Sequence, residues 1–289
     1  MASPAITDTA GLSDTIRAPQ KPRKFLDLKY QPGFGTIAIC CMVLLYAPIL
    51  VLTIFSFNGG DSVTRWGGFG LNWYVTAFQN EGFHHAALTT LKITITATIV
   101  STLVATSAAL ATTRTRRWPG QNTAFVVINL PLMVPEIITA VASLSFFALI
   151  ASVAHISFGL GNLILVHTVF CIPFAYLPIR ARLEDMDLTL EQAAADLYAT
   201  PWQAFRRVTL PLLMPGISAG AALAFIVSFD DFTITQLVAG PGQTTLPLFI
   251  WDHTRLPLTP EINAMSTILL GVSIVFVTLS FVIARRRKA

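Results

Sequence analysis

Charged side chains are scarce in this sequence. They make up 12% of its 289 residues, whereas hydrophobic residues make up 54%. A soluble domain of this length carries about twice that fraction of charge. The composition therefore excludes an ordinary soluble globular domain and favours a chain that lies in a lipid bilayer.

Cysteine and lysine are also scarce, and their positions exclude further classes of protein. Cys40, Cys41 and Cys171 are the only cysteines, and all lie in apolar runs, which favours small buried side chains over disulfides or a metal site. None of the five lysines follows a glycine, so the chain has no P-loop for ATP. We therefore expect this chain to bind no cofactor or metal and to have no catalytic residues.

Six apolar segments each reach the roughly 20 residues needed to cross a bilayer. They lack the alternation of barrel strands, so we predict an all-α membrane protein with six transmembrane helices. Pro135 predicts a kink within the third of these spans. The predicted spans are Phe34–Phe57, Leu88–Thr113, Thr123–Ala151, Ser157–Ile179, Leu212–Val238 and Ile262–Ala284.

The basic residues orient these spans. With the N-terminus in the cytoplasm, all of the 19 Lys and Arg residues except Arg65, Lys92 and Arg255 fall on the cytoplasmic side. The positive-inside rule therefore predicts that both termini are cytoplasmic. The predicted organisation is a basic arm over residues 1–33, disordered at its start, a membrane domain over 34–284, and a basic tail over 285–289.

Three acidic residues lie inside predicted spans: Glu136 in the third, and Asp230 and Asp231 in the fifth. An ionisable group inside a bilayer is costly and points to function. At 1.5 Å per residue, Glu136 and Asp230 lie roughly 20 and 27 Å above the cytoplasmic ends of their spans, at broadly similar depth. No Lys or Arg lies at that depth, so these acids are predicted to line the path of a cationic solute; a protonated, structural Glu136 is the alternative that stays open. The two adjacent aspartates point about 100° apart, so one of them is expected to bond backbone or a companion subunit instead.

Residues 184–211, between the fourth and fifth spans, have the pattern of short soluble helices. Thr189 is the predicted N-cap of a helix that ends at Tyr198. Thr200 is expected to cap a second helix that begins at Pro201 and runs to about Thr209. Two readings of this segment stay open: a docking site for a cytoplasmic partner, or a helix that lies on the bilayer interface.

The same segment, EQAAADLYATPWQAFRRVTLP, resembles the EAA loop of ABC importer permeases, whose pattern is EAA-x3-G-x9-I-x-L-P. In that family the loop forms a coupling helix that seats in a cleft of the cytoplasmic ATPase. Gln192 stands where the pattern has its acidic residue, with Glu191 next to it, and Tyr198 stands where the pattern has glycine. The residues that the resemblance and the aromatic stripe assign to coupling are Glu191, Gln192, Ala193, Ala194, Asp196, Tyr198, Trp202, Arg206, Leu210 and Pro211.

Three other stretches extend the resemblance to nearly all of the chain from Tyr30 onward. They are LYAPILVLTIFSFN, SFDDFTITQLVAGPGQTTLPL and PEINAMSTILLG, and they resemble the second permease of spermidine and putrescine importers, nearer the putrescine branch. The resemblance implies a bacterial inner-membrane permease subunit that couples ATP hydrolysis elsewhere to alternating access. It also implies a second homologous permease, two ATPase subunits that hold ATP and magnesium, and an extracytoplasmic polyamine-binding protein as partners.

Three alternatives to a polyamine permease stay open. An ABC permease for another cationic solute fits the same acids. A proton-coupled secondary transporter would use Glu136 and the aspartates as relays, but the sequence indicates neither the repeats nor the broken helices expected of one. A membrane hydrolase is suggested by GISAG around Ser218, but that motif requires a strand-to-helix turn. Gly216 and Gly220 are instead expected to form a helix-packing face.

Overall fold

The computed structural model describes residues 34–115, 118–155, 159–255 and 259–286. Within these ranges the regular structure is helical, apart from one isolated antiparallel bridge between Asn58 and Phe69. The predicted N-terminal arm, Arg116 and Arg117, and the end of the predicted basic tail lie outside the described residues. The prediction of an all-α fold is confirmed.

Six helices in the described ranges are long and apolar enough to cross a membrane, as predicted. They are Phe34–Phe55, Glu81–Thr113, Glu136–Ala154, Leu160–Glu184, the continuous helix Pro201–Phe229, and Pro260–Ser280. In chain order the helices are α1 Phe34–Phe55, α2 Asn72–Gln79, α3 Glu81–Thr113, α4 Gln121–Met133, α5 Glu136–Ala154, α6 Leu160–Glu184, α7 Thr189–Asp196, α8 Pro201–Ala204, α9 Leu210–Phe229, α10 Thr233–Val238, α11 Leu246–Thr254 and α12 Pro260–Arg286.

The chain divides at Ile49 into two units. The described part of the first unit is the beginning of α1. In the second unit α6 packs along both α3 and α9, and these two also contact each other. Small residues such as Ala109 and Ala175 are fully buried in this three-helix core and let the backbones approach closely.

Gly216 and Gly220 pack α9 against α6, as the sequence predicted. A Cβ atom on Gly220 would lie 2.6 Å from the carbonyl oxygen of Ala175, and one on Gly216 would lie 2.6 Å from Cβ of Arg182. Ser218 is inside the helix and donates a hydrogen bond to the carbonyl of Pro215 at 3.0 Å. The motif therefore lacks the strand-to-helix turn that a serine hydrolase requires.

The third predicted span, Thr123–Ala151, is two helices rather than one kinked helix. The helix α4 ends at Met133, Val134 is extended at φ −90° and ψ 134°, and α5 begins at Glu136. Pro135 explains the break, because its ring forces the preceding residue out of the helical region and it has no N–H to donate. The predicted kink is thus a full interruption, and α5 is the part long enough to span.

The predicted bounds of the fifth span, Leu212–Val238, are also wrong at both ends. Helix begins earlier, at Pro201, and passes through a π-helical turn at Phe205–Thr209 into α9. This wider turn ends at Thr209, directly before Leu210-Pro211. In a regular α-helix the ring of Pro211 would clash with the carbonyl group four residues earlier, and the wider turn relieves that clash. The helix α9 then ends at Phe229, and α10 starts at Thr233. The expectation that no span is broken is therefore wrong, since spans three and five are interrupted beside their acids.

Candidate functional site

The two helix breaks meet inside the second unit. The helix α10 packs against α5, and the Glu136 side chain interacts with the side chains of Asp231 and Thr233. Glu136 is the first residue of α5, and Asp231 lies in the short link between α9 and α10. Although 95 positions separate them in the sequence, the two carboxyl groups belong to one cluster.

Asp231 is buried and fully engaged by the chain around it. Its carboxylate accepts hydrogen bonds from the backbone N–H of Ile234 at 3.2 Å, and from the N–H and hydroxyl of Thr235 at 3.0 and 2.9 Å. These contacts satisfy the free N–H groups at the start of α10, as a capping side chain does. Asp231 therefore explains why a new helix begins at Thr233, inside what the sequence predicted to be one span.

Asp230, by contrast, is exposed within this single chain. Its backbone N–H ends α9 by donating to the carbonyl of Ile226 at 3.0 Å. In the part of the chain that the structure describes, its carboxylate has no hydrogen-bond or ion-pair partner. The two aspartates thus differ, as their 100° separation predicted: Asp231 bonds the fold, and Asp230 remains available for a ligand.

His167 belongs to the same cluster and was missed by the sequence analysis. It lies on α6, is 2% exposed, and its Nε2 is 3.4 Å from Oδ2 of Asp231. Its Nδ1 is 2.9 Å from the Ser228 hydroxyl on α9, and its Nε2 is 3.2 Å from the Thr235 hydroxyl on α10. The sequence held one signal for it, because an ionisable residue in the middle of an apolar span is itself unusual.

An aromatic pair lies beside the acids. Phe232, next to Asp231 in the chain, contacts Trp251 of α11 with ring centroids 5.2 Å apart. The Arg255 guanidinium lies 5.7 Å from the centroid of the Trp251 ring. Trp251 therefore joins α11 to the break in the fifth span.

Glu261, at the start of α12, has a structural role. Its carboxylate accepts a hydrogen bond from the Asn80 side chain at 3.1 Å, and Asn80 also caps α3 by accepting from the N–H of Phe83 at 3.2 Å. An acid in the first turn of a helix also complements the helix dipole. Glu261 thus ties two helix N-termini together.

The segment 184–211, called here the coupling segment, contains the two short helices that the sequence predicted. The first is Thr189–Asp196, whose N-cap position is Leu188 and not the predicted Thr189. The Asp187 carboxylate accepts a hydrogen bond from the Thr189 backbone N–H at 2.9 Å. That backbone hydrogen bond lowers the pKa of Asp187, because it stabilises the ionised carboxylate.

The second helix has the predicted cap at Thr200. The Thr200 hydroxyl accepts from the N–H of Gln203 at 3.4 Å, and the Gln203 side chain accepts from the N–H of Thr200 at 2.9 Å. This reciprocal pair is a capping box, with Pro201 at the first helical position as predicted. The helix does not end near Thr209 but continues as α9, so the coupling segment is rigidly joined to a membrane span.

Glu191 fixes the coupling segment to two spans. Its Oε1 accepts hydrogen bonds from Arg114 Nε, at the end of α3, and from the hydroxyl of Thr209, both at 3.2 Å. Arg114 also donates to the carbonyl of Leu183 at 2.9 Å, near the end of α6. Displacement of α7 would therefore act on α3, α6 and the base of α9 together.

The remaining predicted coupling residues are mostly on the surface of the chain. Tyr198 and Trp202 are 96% and 67% exposed, which is high for large aromatic side chains, and the neighbouring Leu197 is 82% exposed. The Trp202 ring stacks on Phe205 with centroids 5.7 Å apart. Gln192, Ala193, Asp196, Arg206 and Pro211 are also exposed, whereas Ala194 and Leu210 are partly buried.

Tyr198, which stands at the glycine of the EAA pattern, has a left-handed backbone. Its φ is +58°, a conformation that glycine adopts freely and that strains a residue with a Cβ atom. This residue turns the chain from α7 to α8, and its N–H donates to the carbonyl of Ala195 at 2.9 Å. The left-handed backbone therefore explains why the pattern has glycine here, and a tyrosine at this position strains the backbone of the turn.

Comparison with known proteins identifies relatives over most of the chain. The family model of the binding-protein-dependent transport system inner membrane component matches residues 102–287. The putrescine transport system permease protein PotI of Escherichia coli is 36% identical over 87% of this chain and 91% of its own length. The spermidine/putrescine transport system permease protein PotC of Escherichia coli is 34% identical over 83% of this chain and 89% of its own length.

Solved structures share the fold. A subunit of a bacterial ABC transporter that imports the acidic polysaccharide alginate superposes with a TM-score of 0.69, at 18% identity, over 88% of this chain and 93% of that chain. The inward-facing MetNI methionine ABC transporter gives a TM-score of 0.59 at 20% identity, over 72% of this chain and 99% of that chain. The predicted ABC importer permease fold is thereby confirmed.

The family match covers more than half of the chain, and the related permeases align along nearly their whole length. The prediction of a multi-pass transport subunit, rather than an enzyme, is confirmed with it. This chain belongs to the family of binding-protein-dependent transport system inner membrane components.

Proposed function

We propose that this chain is the permease subunit of an ATP-driven importer of polyamines, of the putrescine and spermidine class. The observation that carries the proposal is the meeting of two interrupted spans at Glu136 and the Asp230-Asp231 pair. Broken helices inside a membrane are tolerated where they line a cavity, and acids at the break select for cations. The relatives named for putrescine and spermidine transport support the same substrate class.

Glu136 and Asp230 are the proposed contacts for substrate ammonium groups. In the described residues neither forms an ion pair with Lys or Arg. A carboxylate without a protein counter-charge gains most from an incoming cation, because the surroundings of low polarity strengthen their attraction. Asp231, whose oxygens are occupied by Ile234 and Thr235, supports the site without itself receiving the amine.

The proposed assembly contains a second homologous permease, two ATPase subunits with ATP and magnesium, and an extracytoplasmic polyamine-binding protein. The exposed side chains of Tyr198 and Trp202 suit a protein contact better than solvent. Closure of the ATPase dimer would displace the coupling segment, and the Glu191 contacts would pass that displacement to α3 and α9. Alternating access follows if ATP binding favours one of the two arrangements. In this assembly the chain lies in a bacterial inner membrane with both termini in the cytoplasm.

Uptake by proteoliposomes tests the proposal. The chain is co-purified with the products of neighbouring genes, reconstituted, and supplied with labelled putrescine. The expected result is uptake that requires ATP inside the vesicles and the binding protein outside. Uptake driven by a proton gradient alone would contradict it and would favour the secondary-transporter class.

Substitutions in the same assay test the acids. Glu136→Gln and Asp230→Asn are each expected to lower putrescine uptake at least about tenfold, the effect of losing one charge-assisted contact. Glu81→Gln is the matched control, because Glu81 is an exposed acid at the start of α3, away from the breaks. Unchanged uptake in both path variants would refute the acidic path.

A further inference from the structure

His167 is the one imidazole, among the described residues, that is buried in the cluster where the two broken spans meet. It touches three separate elements. From α6 it contacts Ser228 near the end of α9, Asp231 in the link, and Thr235 in α10. Ser228 in turn lies 3.5 Å from the hydroxyl of Thr94 on α3. One side chain therefore connects both sides of the break in the fifth span to the helix core.

The hydrogen-bond directions follow from the carboxylate. The Thr235 hydroxyl donates its proton to Oδ2 of Asp231 over 2.9 Å. The Thr235 oxygen must then accept from His167, which places the imidazole proton on Nε2. A neutral imidazole with its proton there accepts at Nδ1, so the single Ser228 proton goes to it over 2.9 Å, and Thr94, 3.5 Å from the Ser228 oxygen, is not the acceptor. Each hydrogen bond in the series Ser228–His167–Thr235–Asp231 thus donates toward Asp231.

We propose that His167 is a positioning residue for the cation path: it locks Asp231 into the cap of α10, so that Asp230 and Glu136 receive the amine. The contacts of His167 have two effects. It holds α10 against α5, where Glu136 begins its helix, and it keeps the second aspartate from turning toward the ligand. The inference rests on the proposed function for its substrate and on the contacts above for its mechanism.

The test uses the whole transporter and three variants of this position. His167→Leu removes both hydrogen bonds at similar bulk. His167→Gln keeps an amide N–H close to the Nε2 position. Cys171→Ala is the control, since Cys171 is a fully buried residue one turn further along α6 whose thiol donates its hydrogen bond to the carbonyl of Ala224 at 3.4 Å.

The maximal rate of putrescine uptake per assembled complex is the first measurement. We expect about a tenfold fall for His167→Leu, recovery to within about twofold of wild type for His167→Gln, and no change for Cys171→Ala. The apparent KM should stay unchanged, because capture by the binding protein precedes the step at the acids. In an Asp231→Asn background, His167→Leu should have no further effect, since the two residues then act as one unit.

Amide hydrogen exchange of segment 233–238 in the purified complex is the second measurement and needs no substrate. Exchange there should be about tenfold faster in His167→Leu and unchanged in 263–271 of α12. If wild type transports no polyamine, the proposed function fails, while the exchange result still decides whether His167 anchors α10. Unchanged exchange in 233–238, or additive losses of uptake in the double variant, would overturn the inference.

Discussion

The contact between α6 and α9 allows a substitution whose effect is set by one distance. Gly220 is buried on α9, and a Cβ atom there would lie 2.6 Å from the carbonyl oxygen of Ala175 and 3.2 Å from its Cα. Ordinary contacts of this kind begin at about 3.4 Å. Gly220→Ala therefore forces the two helices apart by several tenths of an ångström, against backbone atoms that cannot turn away.

The magnitude follows from two opposing effects. Overpacking of a close contact costs about 1–3 kcal/mol. Replacing glycine by alanine inside a helix gains about 0.5–1 kcal/mol, because the unfolded chain loses freedom. Gly271→Ala in α12 should gain the same stability from the unfolded chain without any overpacking, since nothing lies within 4 Å of the added Cβ atom. The difference between the two variants isolates the overlap with Ala175.

Unfolding of the purified transporter measures that difference. Gly220→Ala should be less stable than Gly271→Ala by about 1–3 kcal/mol, which is several degrees in the apparent Tm. Expression levels of the two variants should rank in the same order. Equal stability of the two variants, or a more stable Gly220→Ala, would refute the close packing of α6 on α9 as the core of the fold.

Further substitutions test the coupling segment. Tyr198→Gly should stabilise the protein by about 1 kcal/mol because it relieves a φ of +58°, whereas Tyr198→Ala, which keeps a Cβ atom, should not; thermal unfolding of both variants distinguishes them. Glu191→Ala removes the two hydrogen bonds that join α7 to Arg114 and Thr209, and should lower the putrescine transported per ATP hydrolysed at least about threefold. Exposed Glu81→Ala, at the start of α3 and outside the coupling segment, is its control, and an equal loss in both variants would contradict a specific role for Glu191.

The sequence predicted most of the architecture because that information is local. Hydrophobic length predicted the number of spans, and Thr200 before Pro201 predicted a helix cap that the structure contains. The glycine pair at Gly216 and Gly220 predicted helix packing for the same reason. Each of these features depends on residues within a few positions of one another.

The breaks in the spans were less predictable because they depend on contacts between distant residues. Val134 is apolar, and apolar residues resume at Phe232 after the two aspartates, so hydrophobicity alone predicts continuous spans there. Asp231 starts α10 by accepting from backbone N–H groups that only the folded link brings to it. The role of His167 likewise appears only when α6 is placed against α9 and α10.

The acids were found from the sequence, but their division of roles was not. The 100° argument predicted that the two aspartates differ, without indicating which one faces a ligand. The structure distinguishes them by occupancy, since Asp231 has three donors and Asp230 has none among the described residues. That distinction is the central claim of the account.

Protection of a cysteine at position 230 tests the claim most directly. Asp230→Cys is made with the exposed Cys40 and Cys41 replaced by alanine and the buried Cys171 retained, and labelling by a cationic thiol reagent is timed during ATP turnover. Glu81→Cys in the same background is the control. Glu136 still holds the amine in this variant, so putrescine supplied far above its KM should slow labelling at position 230 at least about fivefold and leave position 81 unchanged. Equal labelling at position 230 with and without putrescine would contradict a cation path at the broken spans.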